Sequence, residues 1–347
     1  MFNIIERSKQ RALIRQNWFN GEQGWQIGQP FRWIDGDLAE FKSRAEGKVA
    51  LLSFLTANNG GFKTPKDFMV NNFDEILEDL KKRMENVFIA NLPFFSIDNF
   101  IDRIKGLAHV RTQDYSFIKT YCVDLPTRPN HVDLGPGVGS HSLYSLYHLN
   151  ATYYALEAAT PSYVAQKDFL FHISGADGSY FDVIDAEHLE CSFQKIKDNI
   201  NVKTKYKVKH IPSWYFGEID DLSIDLVSAT WMLNEVSYSD IFWLMSNAIR
   251  VLKKGGYFYV RDSEKLKPHG HSVQYDQLLQ KLGFKLINRA DVKNLIDYYG
   301  VPRVYEKTDD SVYTWEDLVK ICVPKHVSVA TGGGNETGLT DKTFVAT

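Results

Sequence analysis

The stretch "HVDLGPGVGSHS", residues 131–142, places three glycines at alternate positions directly after a short apolar run. The run "HVDLG" predicts a β-strand, and the glycines predict a tight loop behind it. A loop built of glycines lets a ligand lie against bare backbone. In an open α/β sheet, ligands bind at the carboxyl ends of the strands, where such a loop would lie. The stretch therefore predicts a ligand-binding loop.

From about residue 130 onward, short apolar runs alternate with helix-length segments. The runs include "TYYALE", "YKVKHIP", "IDLVSAT", "GGYFYVRD" and "GFKLINR". This alternation predicts a mostly parallel sheet flanked by helices. The segment "DIFWLMSNAIRVL" is predicted as a helix that ends in "KKGG" at 253–256, with lysines in its last turn. From Val301 the sequence is less regular, and a short final strand is expected after a glycine-rich loop.

The first hundred residues predict mainly helix. In "NFDEILEDLKKRMENVF" the apolar residues recur at helical spacing on one face. These residues are Phe73, Ile76, Leu77, Leu80, Met84 and Val87. We interpret residues 1–125 as a mainly helical N-terminal cap region and residues 126–347 as the ligand-binding domain. The boundary lies at "DLPTRPN", where two prolines interrupt any helix.

The composition excludes several classes of partner. The 347 residues include 40 basic and 43 acidic side chains, a net charge of −3, which gives no electrostatic footprint for nucleic acid. The three cysteines are far apart, which favours a reducing compartment. No apolar run approaches the ~20 residues of a membrane span, and the N-terminus has no signal-peptide core. We expect a cytoplasmic protein with a small-molecule partner, and the sequence leaves a homo-oligomer open.

Two cofactor classes use a glycine loop of this kind. The dinucleotide fingerprint is G-x-G-x-x-G. Here the glycines are Gly135, Gly137 and Gly139, and position 140 is a serine. The third glycine of the fingerprint is missing, which disfavours NAD. Asp133 stands two residues before the first glycine.

The pattern apolar–Asp–Leu–Gly–Pro–Gly–Val–Gly resembles the first motif of class I methyltransferases that use S-adenosylmethionine. The resemblance implies a Rossmann-like α/β fold, with a seven-stranded, mostly parallel sheet flanked by helices. It also implies that the glycine loop, with Asp133, packs against the methionine portion and ribose of S-adenosylmethionine. His141, at the start of the next helix, is expected to pack beside this cofactor.

The same resemblance assigns further residues to the cofactor. Glu157 ends the predicted second strand, 18 residues after Gly139, where the family carries an acid that grips the ribose hydroxyls. Ser213 and Trp214 end the third of the family's strands, near the expected adenine ring. Ser228 lies on the fourth, which carries polar residues into the active site.

Finer features resemble the sugar O-methyltransferases of bacterial surface-polysaccharide clusters. The segment "LEAATPSYVAQKDFL" is similar to that group's acid–x–pro–x–x–x–x–x–gln pattern, although it is looser around the proline. The stretch "ATWMLNEVSYSDIFWLM" is similar to the group's asparagine- and glutamate-containing segment. The resemblance covers roughly residues 105 to 290. It implies methyl transfer to a hydroxyl of a sugar or nucleotide-sugar.

A sugar hydroxyl holds its proton tightly, so its methylation calls for a general base within hydrogen-bond reach. The candidates are His269 and His271 in "VRDSEKLKPHGH", because an imidazole with a pKa of ~6.5 suits that task. Glu235 or Asp262 would orient the imidazole or hold the sugar. The same residues could instead bind a divalent metal, although H-x-H alone is a poor metal signature.

Two other functions stay open at this point. One is a small-molecule methyltransferase that acts on a phenol, carboxylate or amine of a natural product. The other is a cofactor-binding module that has lost catalysis and serves as a scaffold. The intact glycine loop together with Glu157 argues against such decay.

Overall fold

The structure is a computed structural model in which two compact units are distinguished. It describes residues 69–91, 97–157, 160–174, 178–201, 205–233, 238–262, 275–290, 300–314, 317, 318 and 321. Of these, the first unit holds the residues up to Asp220 together with Ile224–Ser228. The second unit holds Asp221–Ser223 and the residues from Ala229 onward.

Eight strands are found in the described part of the chain. They are β1 (Asn130–Leu134), β2 (Thr152–Glu157), β3 (Tyr180–Asp182), β4 (Val208–Pro212), β5 (Ile224–Thr230), β6 (Leu252–Asp262), β7 (Phe284–Arg289) and β8 (Val301–Lys307). Their order in the sheet is β3-β4-β2-β1-β5-β6-β8-β7. The pairs β1–β2, β2–β4 and β3–β4 are parallel, whereas β8 runs antiparallel to β6 and β7.

The helices are bounded as follows. In the first unit they are α1 (Phe73–Asn91), α2 (Ile97–Tyr121), α3 (His141–Tyr147), α4 (Thr160–Ser174), α5 (Val183–His188) and α6 (Phe193–Asn201), with a 3₁₀ helix at Ser213–Glu218. In the second unit they are α7 (Tyr238–Val251) and α8 (Tyr275–Lys281).

The strand order confirms the predicted Rossmann-like α/β fold. From β1 the chain proceeds to β2 and β4 on one side and later to β5 and β6 on the other, so the order reverses at β1. Ligands bind at such a reversal in open α/β sheets. Among the described residues the sheet has eight strands where seven are predicted, because β3 adds a three-residue strand outside β4.

The predicted apolar face of the first helix is confirmed. Five of its six residues are buried in α1, and Leu77 is half-buried. The buried five are Phe73, Ile76, Leu80, Met84 and Val87. Burial of this stripe, and not helix propensity, is the main source of stability for an amphipathic helix. The described part of the N-terminal region is helical, as predicted.

The predicted end of helix α7 is wrong. The helix ends at Val251, and the lysines and glycines of "KKGG" belong to β6. Two carbonyls of the last helical turn already have backbone partners. Leu222 N–H donates to Arg250 O over 3.0 Å, and Ser223 N–H donates to Val251 O over 2.9 Å. With these carbonyls satisfied, the helix needs no glycine cap.

Candidate functional site

The glycine loop after β1 has the backbone conformation that only glycine adopts readily. Gly135, Gly137 and Gly139 have φ angles of 61°, 63° and 84°, in the left-handed region. The N–H of Gly135 donates to Leu156 O, and that of Gly139 donates to Pro136 O, each over 2.9 Å. The loop is therefore tied both to β2 and to itself.

Strand register brings the predicted cofactor residues of three strands to one edge of the first unit. Glu157, the last residue of β2, is in register with Pro212, the last residue of β4. Ser213 and Trp214 follow directly in the 3₁₀ helix, where Ser213 is buried and Trp214 is half-buried. Gly135 is bonded to β2 one residue before Glu157. The structure thus brings these predicted residues together.

Glu157 is buried and has a partner that sequence reasoning missed. Its side chain is 6% exposed, and its Oε2 accepts a hydrogen bond of 2.6 Å from Gln166 Nε2. The same nitrogen donates to the carbonyl of Gly137 over 2.6 Å. Gln166 is the glutamine of the "EAATPSYVAQ" pattern, so the signal was present although no role was assigned to it.

Asp133 is a fully buried carboxylate under the glycine loop. Its oxygens accept hydrogen bonds from Tyr153 Oη at 2.6 Å and Ser228 Oγ at 2.7 Å, and His141 Nδ1 lies 2.8 Å from Oδ2. Burial alone would raise the pKa of this carboxyl. The charge and hydrogen bond of His141, the charge of His131 and the Tyr153 hydroxyl outweigh burial and lower the pKa to about 2. Asp133 is therefore ionised at neutral pH.

His141 lies between two buried carboxylates. Its Nδ1 faces Asp133, and its Nε2 lies 3.4 Å from Asp114 Oδ2. Asp114 belongs to α2, as does Arg111, whose Nη1 donates to Asp114 over 3.1 Å and whose Nε donates to Ser140 Oγ over 2.9 Å. Helix α2 thus supports the glycine loop. Sequence reasoning missed this support, because these polar residues occur within an ordinary helical pattern.

Ser228 joins the same interior network. Its hydroxyl hydrogen is donated to Asp133, so it accepts from His131 Nε2, which lies 2.8 Å away. The other ring nitrogen, Nδ1, then accepts from Ser145 Oγ at 2.9 Å. Burial, the largest influence, lowers the pKa of His131 to about 4, which fits a neutral ring. Direct contact of Ser228 or His141 with a cofactor stays a prediction.

In the second unit, Asp262 ends β6 and is fully buried. Its Oδ2 accepts from the N–H of Leu233 over 3.1 Å, and the N–H of Trp231 donates to Arg261 O over 2.9 Å. Trp231 has a φ of 58°, a strained conformation for a bulky residue. Asp262 therefore holds the turn after β5. The other predicted catalytic residues, Glu235, His269 and His271, lie outside the described residues.

Two further searches cover the described residues only. They contain no group of three or more His, Cys, Asp or Glu side chains that could hold a metal ion. No described helix has both the length and the apolar character needed to cross a bilayer.

Comparison with known proteins gives structural neighbours only. No family model matches the chain, and no curated protein matches it. One similar structure is the 1,6-didemethyltoxoflavin-N1-methyltransferase of Burkholderia thailandensis with bound S-adenosylhomocysteine. It is 13% identical, over 72% of this chain and 94% of that one, with a TM-score of 0.40.

Two more solved structures are similar at the same level. The magnesium protoporphyrin IX methyltransferase of Synechocystis, with bound S-adenosylmethionine, is 12% identical over 71% of this chain and all of that one, with a TM-score of 0.40. The phosphoethanolamine N-methyltransferase 1 of Haemonchus contortus is 13% identical over 80% of this chain, with a TM-score of 0.38. This chain spans 53% of that enzyme's length.

Proposed function

We propose that the protein is a methyltransferase that uses S-adenosylmethionine. The observation that carries the proposal is the pairing of a left-handed glycine loop with a buried acid, Glu157, at the end of the neighbouring strand. A carboxylate accepts hydrogen bonds only, so it suits the two hydroxyl donors of a ribose. The glycine backbone lets the rest of the cofactor approach closely. S-adenosylmethionine, when bound, supplies an already activated methyl group.

Calorimetry with S-adenosylhomocysteine tests the cofactor assignment. Glu157→Gln should weaken binding by about 1–3 kcal/mol, or roughly 5- to 150-fold, because the ribose loses a charged acceptor. Glu190→Gln is the matched control, since Glu190 is exposed in the same unit, and it should bind like the unchanged chain. Unchanged affinity of Glu157→Gln would remove Glu157 from the site. Tight binding of NAD in place of S-adenosylhomocysteine would overturn the proposal itself.

For the acceptor, we propose a hydroxyl of a sugar or nucleotide-sugar. The support is the similarity of "LEAATPSYVAQKDFL" and "ATWMLNEVSYSDIFWLM" to the sugar O-methyltransferases. In this proposal His269 or His271 accepts the hydroxyl proton, and Glu235 or Asp262 orients the imidazole. Asp262 is suited to a fixed role, because its carboxylate is buried and bonded to backbone. A phenol, carboxylate or amine of a natural product is the alternative acceptor.

A screen of sugars and nucleotide-sugars for methyl transfer, run with and without chelator, tests the acceptor. Alanine at the correct histidine should lower kcat by about 10²- to 10⁴-fold, the usual contribution of a general base, with cofactor affinity unchanged. His172→Ala is the control, because His172 is exposed on α4. Normal turnover in both histidine variants would favour a more acidic acceptor. Loss of activity with chelator and rescue by a divalent ion would make these residues metal ligands.

A further inference from the structure

A series of buried, hydrogen-bonded side chains extends from the glycine loop to the edge strand β3. Gln166, in the middle of α4, donates through Nε2 to Gly137 O and Glu157 Oε2, both at 2.6 Å. Its Oε1 lies 3.1 Å from His210 Nε2, and His210 Nδ1 lies 3.1 Å from Asp182 Oδ2. Gln166 and His210 are fully buried. All of these residues belong to the first unit.

The hydrogen-bonding groups around Gln166 determine which end of its amide faces Glu157. The NH₂ group faces two acceptors, which an amide can satisfy only with its nitrogen on that side. The carbonyl Oε1 then needs a donor, and His210 supplies it through an Nε2–H. If the amide turned over, its oxygen would face the Glu157 carboxylate, which leaves two acceptors in contact without a hydrogen. The two acceptors, Gly137 O and Glu157, therefore determine which end of the amide meets Glu157, and His210 lies against the other end.

His210 itself is held on several sides. The Tyr163 ring stacks on it with centroids 3.6 Å apart and planes at 13°, and the Tyr180 hydroxyl lies 3.0 Å from Nδ1. Asp182, beside Nδ1, also caps α5, because its Oδ1 accepts from Asp185 N–H over 2.9 Å. The imidazole cannot turn without breaking these contacts, so the fold holds the ring in place beside the Gln166 amide.

We propose that Gln166 is a positioning residue, which holds the ribose-binding carboxylate of Glu157 against the glycine loop. The single nitrogen of Gln166 joins the two parts of the cofactor site that come from different strands. The inference rests on the proposed function, since it takes the ribose of S-adenosylmethionine as the ligand of Glu157.

The test replaces Gln166 by glutamate, which is nearly isosteric. A protonated carboxyl offers part of the amide's pattern, a carbonyl toward His210 and a single O–H that can go to Glu157 but not also to Gly137 O. A carboxylate offers no hydrogen and repels Glu157. The groups that face this position, directly or through His210, are Glu157 from β2, His210 from β4, Asp182 and Tyr180 from β3, Asp185 from α5, and Tyr163 and Lys167 from α4.

Affinity for S-adenosylhomocysteine is measured by calorimetry from about pH 5.5 to pH 8.5, with circular dichroism at each pH. Gln166→Glu should bind about tenfold or more weakly than the unchanged chain at high pH, and the difference should shrink as the pH falls. Gln166→Leu, which cannot donate at any pH, should lose affinity across the whole range. Gln280→Glu, at an exposed position of α8, is the control for added charge and should follow the unchanged chain.

The outcomes separate this inference from the proposed function. If the unchanged chain does not bind S-adenosylhomocysteine, the proposed function fails. If it binds and folded Gln166→Glu shows the same affinity at every pH, or a loss that does not change with pH, Gln166 does not position Glu157. Recovery of affinity within one folded sample as the pH falls supports the inference, because a merely structural defect would not reverse.

Discussion

Two glycines of the second unit share a backbone conformation but differ in their surroundings. Gly255 has a φ of 76°, and an added Cβ would meet nothing within 4 Å. Gly300 has a φ of 70°, and an added Cβ would come within 2.6 Å of the backbone of Asp262. Any side chain at Gly300 would therefore push against the end of β6, the strand that places Asp262.

This difference predicts unequal losses of stability. Gly255→Ala should lower the free energy of unfolding by about 1–2 kcal/mol, the cost of the left-handed conformation for a residue with a Cβ. Gly300→Ala should cost about 1–3 kcal/mol more, because backbone atoms must also move apart. Urea denaturation of both variants measures the difference. Equal losses would mean that the chain around Asp262 adjusts without strain.

Single residues of the site were predictable where the signal is local. The glycines stand out by their spacing, and the resemblance to class I methyltransferases points to Glu157; the structure brings them together. Asp114 was not predictable, because its partner His141 is 27 positions away. Ser228 was expected on the strand that carries it, but its bond to Asp133 spans 95 positions. Contacts of this separation depend on the packing of the sheet, which one sequence does not report.

At the scale of whole elements, buried lysines close the ends of two helices. Lys209 on β4 donates to Ile200 O, near the end of α6, over 2.6 Å. Lys307 on β8 donates to Ile249 O, near the end of α7, over 2.7 Å. Both side chains are almost completely buried. A cation near the end of a helix satisfies carbonyls that have no partner within the helix.

Loss of the contact between Lys209 and the Ile200 carbonyl should destabilise the first unit. Lys209→Met keeps the length of the side chain but leaves the Ile200 carbonyl without its donor, at a cost of about 1–3 kcal/mol. Lys207→Met is the matched control, because Lys207 is exposed two residues earlier, and it should change stability by less than about 0.5 kcal/mol. Thermal and urea unfolding compare the two. A Lys209→Met variant as stable as the control would show that removing a buried charge offsets the lost bond.

The sequence predicted elements well where the pattern is regular. The runs "TYYALE" and "IDLVSAT" coincide with β2 and β5. Strand β3 escaped prediction because three residues are too few for a period. Strand β8 escaped because "VPRVYEK" places Arg303 and Lys307 at buried positions, where a sequence pattern expects apolar residues. Such charges are tolerated inside only with partners, as Lys307 has, and the partners are distant in sequence.

At the scale of the whole molecule, buried ionisable groups set the response to acid. The pKa of His131 falls to about 4 because of burial, and burial also lowers the pKa of His210. Between the folded value and the unfolded value of about 6.5, the unfolded chain binds more protons, so stability falls as the pH falls. Asp133 and Asp182 have pKa values of about 2, so they add a second loss between about pH 4 and pH 2. Protonation of the buried histidines and protonation of the two aspartates both lower the stability of the fold as the pH falls.

The contribution of His131 can be isolated from the slope of the unfolding free energy against pH. For a pKa lowered from about 6.5 to about 4, the loss of unfolding free energy across that window is at most about 3 kcal/mol. His131→Gln keeps a donor toward Ser228 but does not titrate, so its unfolding free energy should decline less between pH 6.5 and pH 4. His172→Gln, at an exposed position of α4, should decline like the unchanged chain. Urea denaturation at half-unit pH intervals gives the three curves. A His131→Gln curve parallel to that of the unchanged chain would mean that the buried imidazole is not neutral. His131 Nδ1 would then donate to Ser145 Oγ, whereas the bonds from Nε2 to Ser228 and from Ser228 to Asp133 would keep their direction.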